Sequence, residues 1–171
     1  FQAQAGIRDL SLSLVGSEMC IRDSYREIVR ARFTSVDGAP VLLDSLHSAG
    51  FALAVGSSGP PENVAVVVER LDREHLFEAI VTRADIVHGK PDPEVFLLGA
   101  KRLGVEPAAC AVVEDAAAGV EAANRAGMAS IGLVGTTSRE KLAAADLVID
   151  SLGELNPDII SALIKNCAAR G

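Results

Sequence analysis

Short, almost wholly apolar runs alternate along this chain with stretches that carry helical spacing. The runs are F-A-L-A-V-G at 51–56, A-I-V at 79–81, A-C-A-V-V at 109–113, A-S-I-G-L-V at 129–134 and L-V-I at 147–149. A strand without polar alternation must be covered on both faces, and strands joined through single helices run parallel. The pattern predicts βαβ crossovers and an α/β fold, a parallel sheet between two layers of helices. Helices are predicted at 40–49, 61–71, 93–103, 116–126, 138–144 and 159–166, several of them stopped by Gly50, Gly104 or Gly127. Ile86-Val87 reads as one further short strand. Aromatic residues are only 4% of the chain. Ala, Val and Leu carry the apolar load, which suits helices packed closely on such a sheet.

Bulk properties remove several classes of function. The 171 residues are enough for one domain with a real core. The net charge is −7 and no basic cluster stands out, which argues against nucleic acid or an anionic membrane as partner. No apolar run is long enough to cross a bilayer. The cysteines, Cys20, Cys110 and Cys167, are widely spaced and form no C-x-x-C pair. They read as reduced thiols of a cytoplasmic protein, not as a disulfide frame or a zinc site. A monomer is expected over an oligomer.

Residues 1–24 differ from the rest and show neither helical nor strand periodicity. Residues 13–24, S-L-V-G-S-E-M-C-I-R-D-S, resemble an in-frame translation of a sequencing adaptor. The alternative is an irregular N-terminal arm. On the adaptor reading, genuine protein begins near Tyr25, and residues 1–24 are a non-native segment. The stretch S-L-S-L-V within it could still pair with an open strand edge.

In parallel sheets ligands bind at the carboxyl ends of the strands, so the residues following each run carry the functional information. Ser57-Ser58 follow the run at 51–56. A hydroxyl and neighbouring backbone N–H groups there can hold phosphate oxygens; a turn and helix cap would use the same residues. Asn63 is near enough to reach the same place but reads as a helix-surface residue. Lys90 lies in G-K-P-D-P, where two prolines restrict the loop and can aim the side chain inward. The alternative is a solvated loop lysine. Glu114-Asp115 end the run at 109–113. Carboxylates there are costly unless they bind a cation or accept hydrogen bonds, and an oxygen-only donor set suits Mg²⁺. The alternative is that both cap the helix beginning at 116. His47, His75 and His88 show no ligand spacing and read as surface residues, with His88 near Lys90. Asp37-Gly38 reads as the turn into the helix from Pro40. No G-x-G-x-x-G or G-x-x-x-x-G-K-S/T loop is present.

Taken in order, Ser57, Lys90 in G-K-P-D-P-E-V-F, and V-V-E-D at 112–115 followed by Ala118-Gly119 and Ala126-Gly127-Met128 resemble the haloacid dehalogenase superfamily. The likeness is to its β-phosphoglucomutase-like phosphatases and phosphomutases, and it runs from about Val36 to Ile149. It implies a Rossmann-like three-layer core over 36–171, with 25–35 as a remnant of a cap or linker. It implies Mg²⁺-dependent hydrolysis or transfer of a phosphomonoester through an aspartyl-phosphate. Ser57 and Ser58 would bind phosphate, Lys90 would steady nucleophile and phosphate, and Asp115 and Glu114 would hold the metal. The substrate would be a small phosphorylated metabolite, with sugar phosphates foremost.

Two departures accompany the resemblance. Ala116 stands where serine is frequent. The first family motif, D-x-D-G-T/V, which holds the attacking aspartate, is absent from the chain, and S-V-D-G at 35–38 only faintly resembles it. The chain is therefore expected to be a truncated, inactive core. It would lack the strand that lies between those ending at Ser57 and Asp115, and most of the helical cap. That loss would leave two inner strand edges unpaired. A dehalogenase is the nearest rival, though such enzymes need no metal and usually lack the Glu-Asp pair. A non-catalytic phosphate-binding α/β module is a rival of another class.

Overall fold

A computed structural model describes residues 18–169. The stretch S-L-S-L-V lies outside the described residues. The elements in chain order are α1 (Glu18–Arg32), α2 (Ala39–Ser48), β1 (Leu53–Gly56), α3 (Pro61–Arg70), β2 (Phe77–Val81), α4 (Glu94–Leu103), β3 (Ala111–Glu114), α5 (Ala117–Arg125), β4 (Ala129–Leu133), β5 (Leu147–Ile149) and α6 (Pro157–Ala168). All strand pairs are parallel, in the orders β1-β2 and β3-β4-β5.

Side-chain alternation along β3 shows how the layers form. Ala111 and Val113 face a cluster with Leu42 and Leu46 of α2, Ile131 of β4 and Ile160 of α6. Val112 faces the opposite way, toward Phe96 of α4 and Ala122 and Ala123 of α5. The sheet is thus covered on both faces, as its apolar runs demand. Val64 and Val68 of α3 pack on Val55 beside Phe77. The sequence sets several element ends locally. Gly38 enters α2 at φ 81° and Gly104 ends α4 at φ 69°, both in the left-handed region that side chains resist. Asn156 Oδ1 accepts the Ile159 N–H at 2.9 Å and caps α6, with Pro157 in its first turn.

The two strand groups share no ladder. Among the described residues nothing pairs with the second edge of β1 or of β3. Between them lies a cavity of about 440 Å³, lined by Leu53 to Gly56, by Ala111 to Glu114 and by residues of α2, α4 and α6. Among the described residues the expectation of two unpaired inner edges is met. It also explains why the run at 109–113, read as a buried strand, is only half-buried over Ala111 to Val113, whereas β4 is buried nearly throughout, with Ile131 at 0% exposure. A strand edge facing a cavity lacks the neighbour that would cover it. Cys110 borders this cavity, and burial pushes its thiol above the ordinary range.

Three local expectations are corrected. Ile86-Val87 is not a strand: the chain turns through a 3-10 segment, Arg83–Asp85, and Ile86 is buried while Val87 is exposed. Residues 138–144 make only a 3-10 turn, Arg139–Leu142, because Leu142 alone of that turn is buried and there is no apolar stripe to hold a longer helix. The N-terminal stretch read as lacking helical periodicity contributes to α1, which continues across Tyr25 and buries Val29 at 1% exposure. That helix packs against α3.

The turn after β2 bears on the site. Arg83 N–H donates to Gly59 O at 3.0 Å, tying this turn to the one that follows β1. Thr82 and Asp85 lock it reciprocally, with Asp85 Oδ2 accepting from Thr82 N–H and from its hydroxyl, each at 2.8 Å. Arg102 also pairs with Asp85. The Arg102 guanidinium, then the Thr82 donors, lower the Asp85 carboxyl to about 2. Its ordinary unfolded value is about 3.9, so the stabilisation is fully present above that pH and is lost as pH falls toward 2. Asp85→Asn should therefore flatten the acid-unfolding profile between about pH 4 and pH 2, followed by circular dichroism. An unchanged slope would contradict the assignment.

Candidate active site at the strand ends

The site is built where β1 and β3 end. Ser57 N–H continues the β1–β2 ladder by donating to Val81 O at 2.9 Å. The Ser57 hydroxyl accepts the Gly59 N–H at 3.0 Å, so the residue shapes its own turn. It does not cap α3, whose N-cap is Pro60 with no side-chain bond. Ser58 is exposed on the same turn.

Lys90 is not a solvated loop residue. Its side chain is 15% exposed and forms an ion pair with Glu114, itself 8% exposed. Nζ also approaches Gly56 O at 3.4 Å and lies 4.7 Å from the centre of the Phe96 ring. The loop that carries Lys90 is held by Glu94, whose carboxylate accepts Val87 N–H at 3.0 Å and His88 N–H at 2.7 Å. These backbone donors hold the Glu94 carboxyl below the usual carboxylate range. Asp92 Oδ1 accepts Glu94 N–H at 2.9 Å. His88, Asp92 and Glu94 approach one another closely enough to suggest a cation site, but their carboxylates are engaged in shaping the loop.

Glu114 is the last residue of β3, and its carboxylate needs the space above Gly119. A methyl group at that position would overlap it. Asp115 accepts the Thr136 hydroxyl at 2.9 Å. Neither acid caps α5: the N-cap is Ala116 and it makes no side-chain cap bond. A smaller cavity, about 140 Å³, opens beside Asp115 and is lined by Asp37, Glu114, Thr136, Asp150 and Ser151 among others.

Lys90 thus links the three sequence motifs: it reaches the residue before Ser57 and pairs with the residue before Asp115. Ser57, Lys90 and the Glu114-Asp115 pair converge on one end of the strands, although the Ser57 hydroxyl is turned toward its own loop. Asp37 lies in the turn entering α2, as expected, and also faces the smaller cavity. His47 and His75 are exposed. His88 is 69% exposed and pairs with Glu94, not with the Lys90 site. Asn63 departs from expectation. It is half-buried, and its buried Oδ1 finds no hydrogen-bond partner among the described residues. Thr136 and Asp150 were not singled out from sequence, and Phe96 and Gly119 entered only as parts of the family motifs, with no role of their own. Thr136 and Asp150 lie just after β4 and β5, so the rule that found Ser57 and Asp115 could have found them. Phe96 and Gly119 look like ordinary helix positions until the side chains around them are placed.

Comparison with known proteins places this arrangement. The family model described as haloacid dehalogenase-like hydrolase matches residues 4–127, a span that begins inside the N-terminal segment. The chain belongs to this family. It is 39% identical over 121 residues to validoxylamine A 7'-phosphate phosphatase of Streptomyces hygroscopicus subsp. limoneus, covering 71% of this chain and 57% of the relative. It is 36% identical over 108 residues to β-phosphoglucomutase of Bacillus subtilis, covering 63% and 46%. Among solved structures, β-phosphoglucomutase from Clostridium difficile superposes with a TM-score of 0.78 at 30% identity, covering 87% of this chain and 66% of that one. The chain spans about half the length of the curated relatives it matches.

The Lys90–Glu114 pair makes a sharp energetic prediction. Removing one partner of a buried pair leaves the other charge unpaired and costs about 3–5 kcal/mol, whereas neutralising both costs far less. Lys90→Met should lower the urea midpoint strongly, and adding Glu114→Gln should recover most of the loss. A double variant as unstable as the sum of the two single variants would show that the pair is not the coupled unit described.

Proposed function

We propose that this chain is the core of a Mg²⁺-dependent phosphomonoester hydrolase or sugar-phosphate phosphomutase working through an aspartyl-phosphate. The observation that carries the reading is the Lys90 ammonium, held between the end of β1 at Gly56 and the end of β3 at Glu114. A cation fixed there, beside a serine turn and a carboxylate pair, is suited to receive a phosphoryl group. Membership of the hydrolase family and likeness to validoxylamine A 7'-phosphate phosphatase and to a β-phosphoglucomutase support it.

In this reading Ser57, with the hydroxyl and N–H groups of the turn through Ser58, binds phosphate oxygens. Lys90 neutralises phosphate and nucleophile together, and Glu114 holds its ammonium in place. The donor set fits Mg²⁺: Asp115 and Glu114 offer carboxylate oxygens beside a small cavity with room for water, and Thr136 orients the Asp115 carboxylate. When bound, the metal would screen charge between the phosphate and these carboxylates. Residues 36–171 would form this core, with 25–35 a remnant of cap or linker and 1–24 non-native. The substrate would be a small phosphorylated metabolite of the cytoplasm.

Two experiments test the proposal. Mg²⁺ with aluminium fluoride, a phosphate mimic, should stabilise the protein by about 2–3 kcal/mol at a hundredfold excess over Kd. The stabilisation should vanish in Asp115→Ala, read by thermal unfolding. Stabilisation that survives in that variant would remove Asp115 from the metal site. The second concerns turnover. The 171 residues contain no D-x-D-G sequence, so this chain is proposed to be inactive. Adding an N-terminal segment that supplies this motif should create phosphatase activity on sugar phosphates, and equal activity in the two forms would refute the proposed inactivity.

A further inference from the structure

We propose that Phe96 is a positioning residue for the Lys90 ammonium, acting through the negative face of its ring. This inference rests on the functional reading above and assigns the site a part that its polar residues do not supply. Lysine is a compact charge on a flexible four-carbon stem, and two oxygen partners leave that stem several ways to reach them. Phe96 limits them. The residue is 9% exposed, and Nζ lies 4.7 Å from the centre of its ring. A cation at this distance is attracted by the ring quadrupole, most strongly where water is excluded.

The ring itself is held firmly. It sits on α4 within the cluster that includes Val81, Val95 and Ala122. Its edge lies against Gly56, where a Cβ would come within 3.2 Å of Cδ1 and 3.3 Å of Cε1. The absence of a side chain at Gly56 therefore lets the ring reach the end of β1. Gly56 O is the carbonyl that Lys90 approaches. Ring, carbonyl and Glu114 carboxylate together surround the ammonium, and each comes from a different element. Apolar packing alone would need a residue of this volume, but it would not need an aromatic face toward a charge.

Fluorinated phenylalanines at position 96 separate the two roles, because fluorine weakens the quadrupole while nearly keeping the shape. Site-specific incorporation of 4-fluoro-, 3,5-difluoro- and 3,4,5-trifluorophenylalanine would be followed by two measurements. The first needs no ligand. Lys90 ε-methylene protons under the ring should resonate upfield of those of solvated lysines and drift toward ordinary values along the series. The second is the affinity for orthophosphate in the presence of Mg²⁺, which should fall stepwise by about fivefold in total. Phe96→Tyr should retain both properties and Phe96→Leu should lose both. Resonances that stay unchanged along the series would overturn the proposal, as would unchanged phosphate affinity in a protein that binds phosphate. If the unmodified protein binds no phosphate with Mg²⁺, the functional reading fails, and the ligand-free resonances decide the role of Phe96 by themselves.

Discussion

The carboxyl ends of two strands that share no hydrogen-bonded ladder are bridged by one lysine, Lys90, which pairs with Glu114 and reaches Gly56 O, and the site depends on it. β1 belongs with β2, and β3 with β4 and β5. Apolar packing holds the two groups in one body: the cluster around Phe96 draws Val81 from β2 together with Ala122 and Ala123 from α5. Such packing is strong but not directional. At the strand ends, the Lys90–Glu114 pair and the approach of Nζ to Gly56 O supply direction. A buried pair of this kind is weak evidence of net stability, since desolvation offsets much of the attraction. Its value lies in placing a positive charge at a defined point.

The surroundings of that pair are arranged to tolerate it. Gly119 leaves the space that the Glu114 carboxylate fills, and Phe96 lies beneath the ammonium. The loop bearing Lys90 is organised by Glu94, whose carboxylate accepts two backbone N–H groups. On the other side, the Thr136 hydroxyl donates to Asp115 beside the smaller cavity. The two acids of Glu114-Asp115, adjacent in sequence, thus take different partners. Successive residues at a strand end point to opposite sides, so one acid meets the lysine and the other meets the loop after β4.

How far this was legible varies from residue to residue. The runs at 51–56, 109–113, 129–134 and 147–149 revealed strands because continuous burial on two faces leaves no polar alternation. Ile86-Val87 carried the same local signal on too few residues, and the Thr82–Asp85 box overrode it. The 138–144 stretch has the composition of a helix but buries only Leu142 within its 3-10 turn. Ser57, Lys90, Glu114 and Asp115 stood out because charged or hydroxyl groups directly after apolar runs are conspicuous. Phe96 did not, since an aromatic on the inner side of a helix has an ordinary explanation in packing.

Read alone, the amino-acid order determined the parallel α/β architecture, the ends of several helices and the placing of polar groups at strand ends. These follow from short-range rules: periodicity, left-handed glycines and the need to cover apolar faces. Tertiary structure decided which alternative each polar residue takes. Only there do Lys90 and Glu114 meet, does Asp115 turn to Thr136 instead of capping α5, and does Gly119 matter for a carboxylate on another element. Those outcomes rest on distances between groups far apart along the chain, which no local pattern encodes.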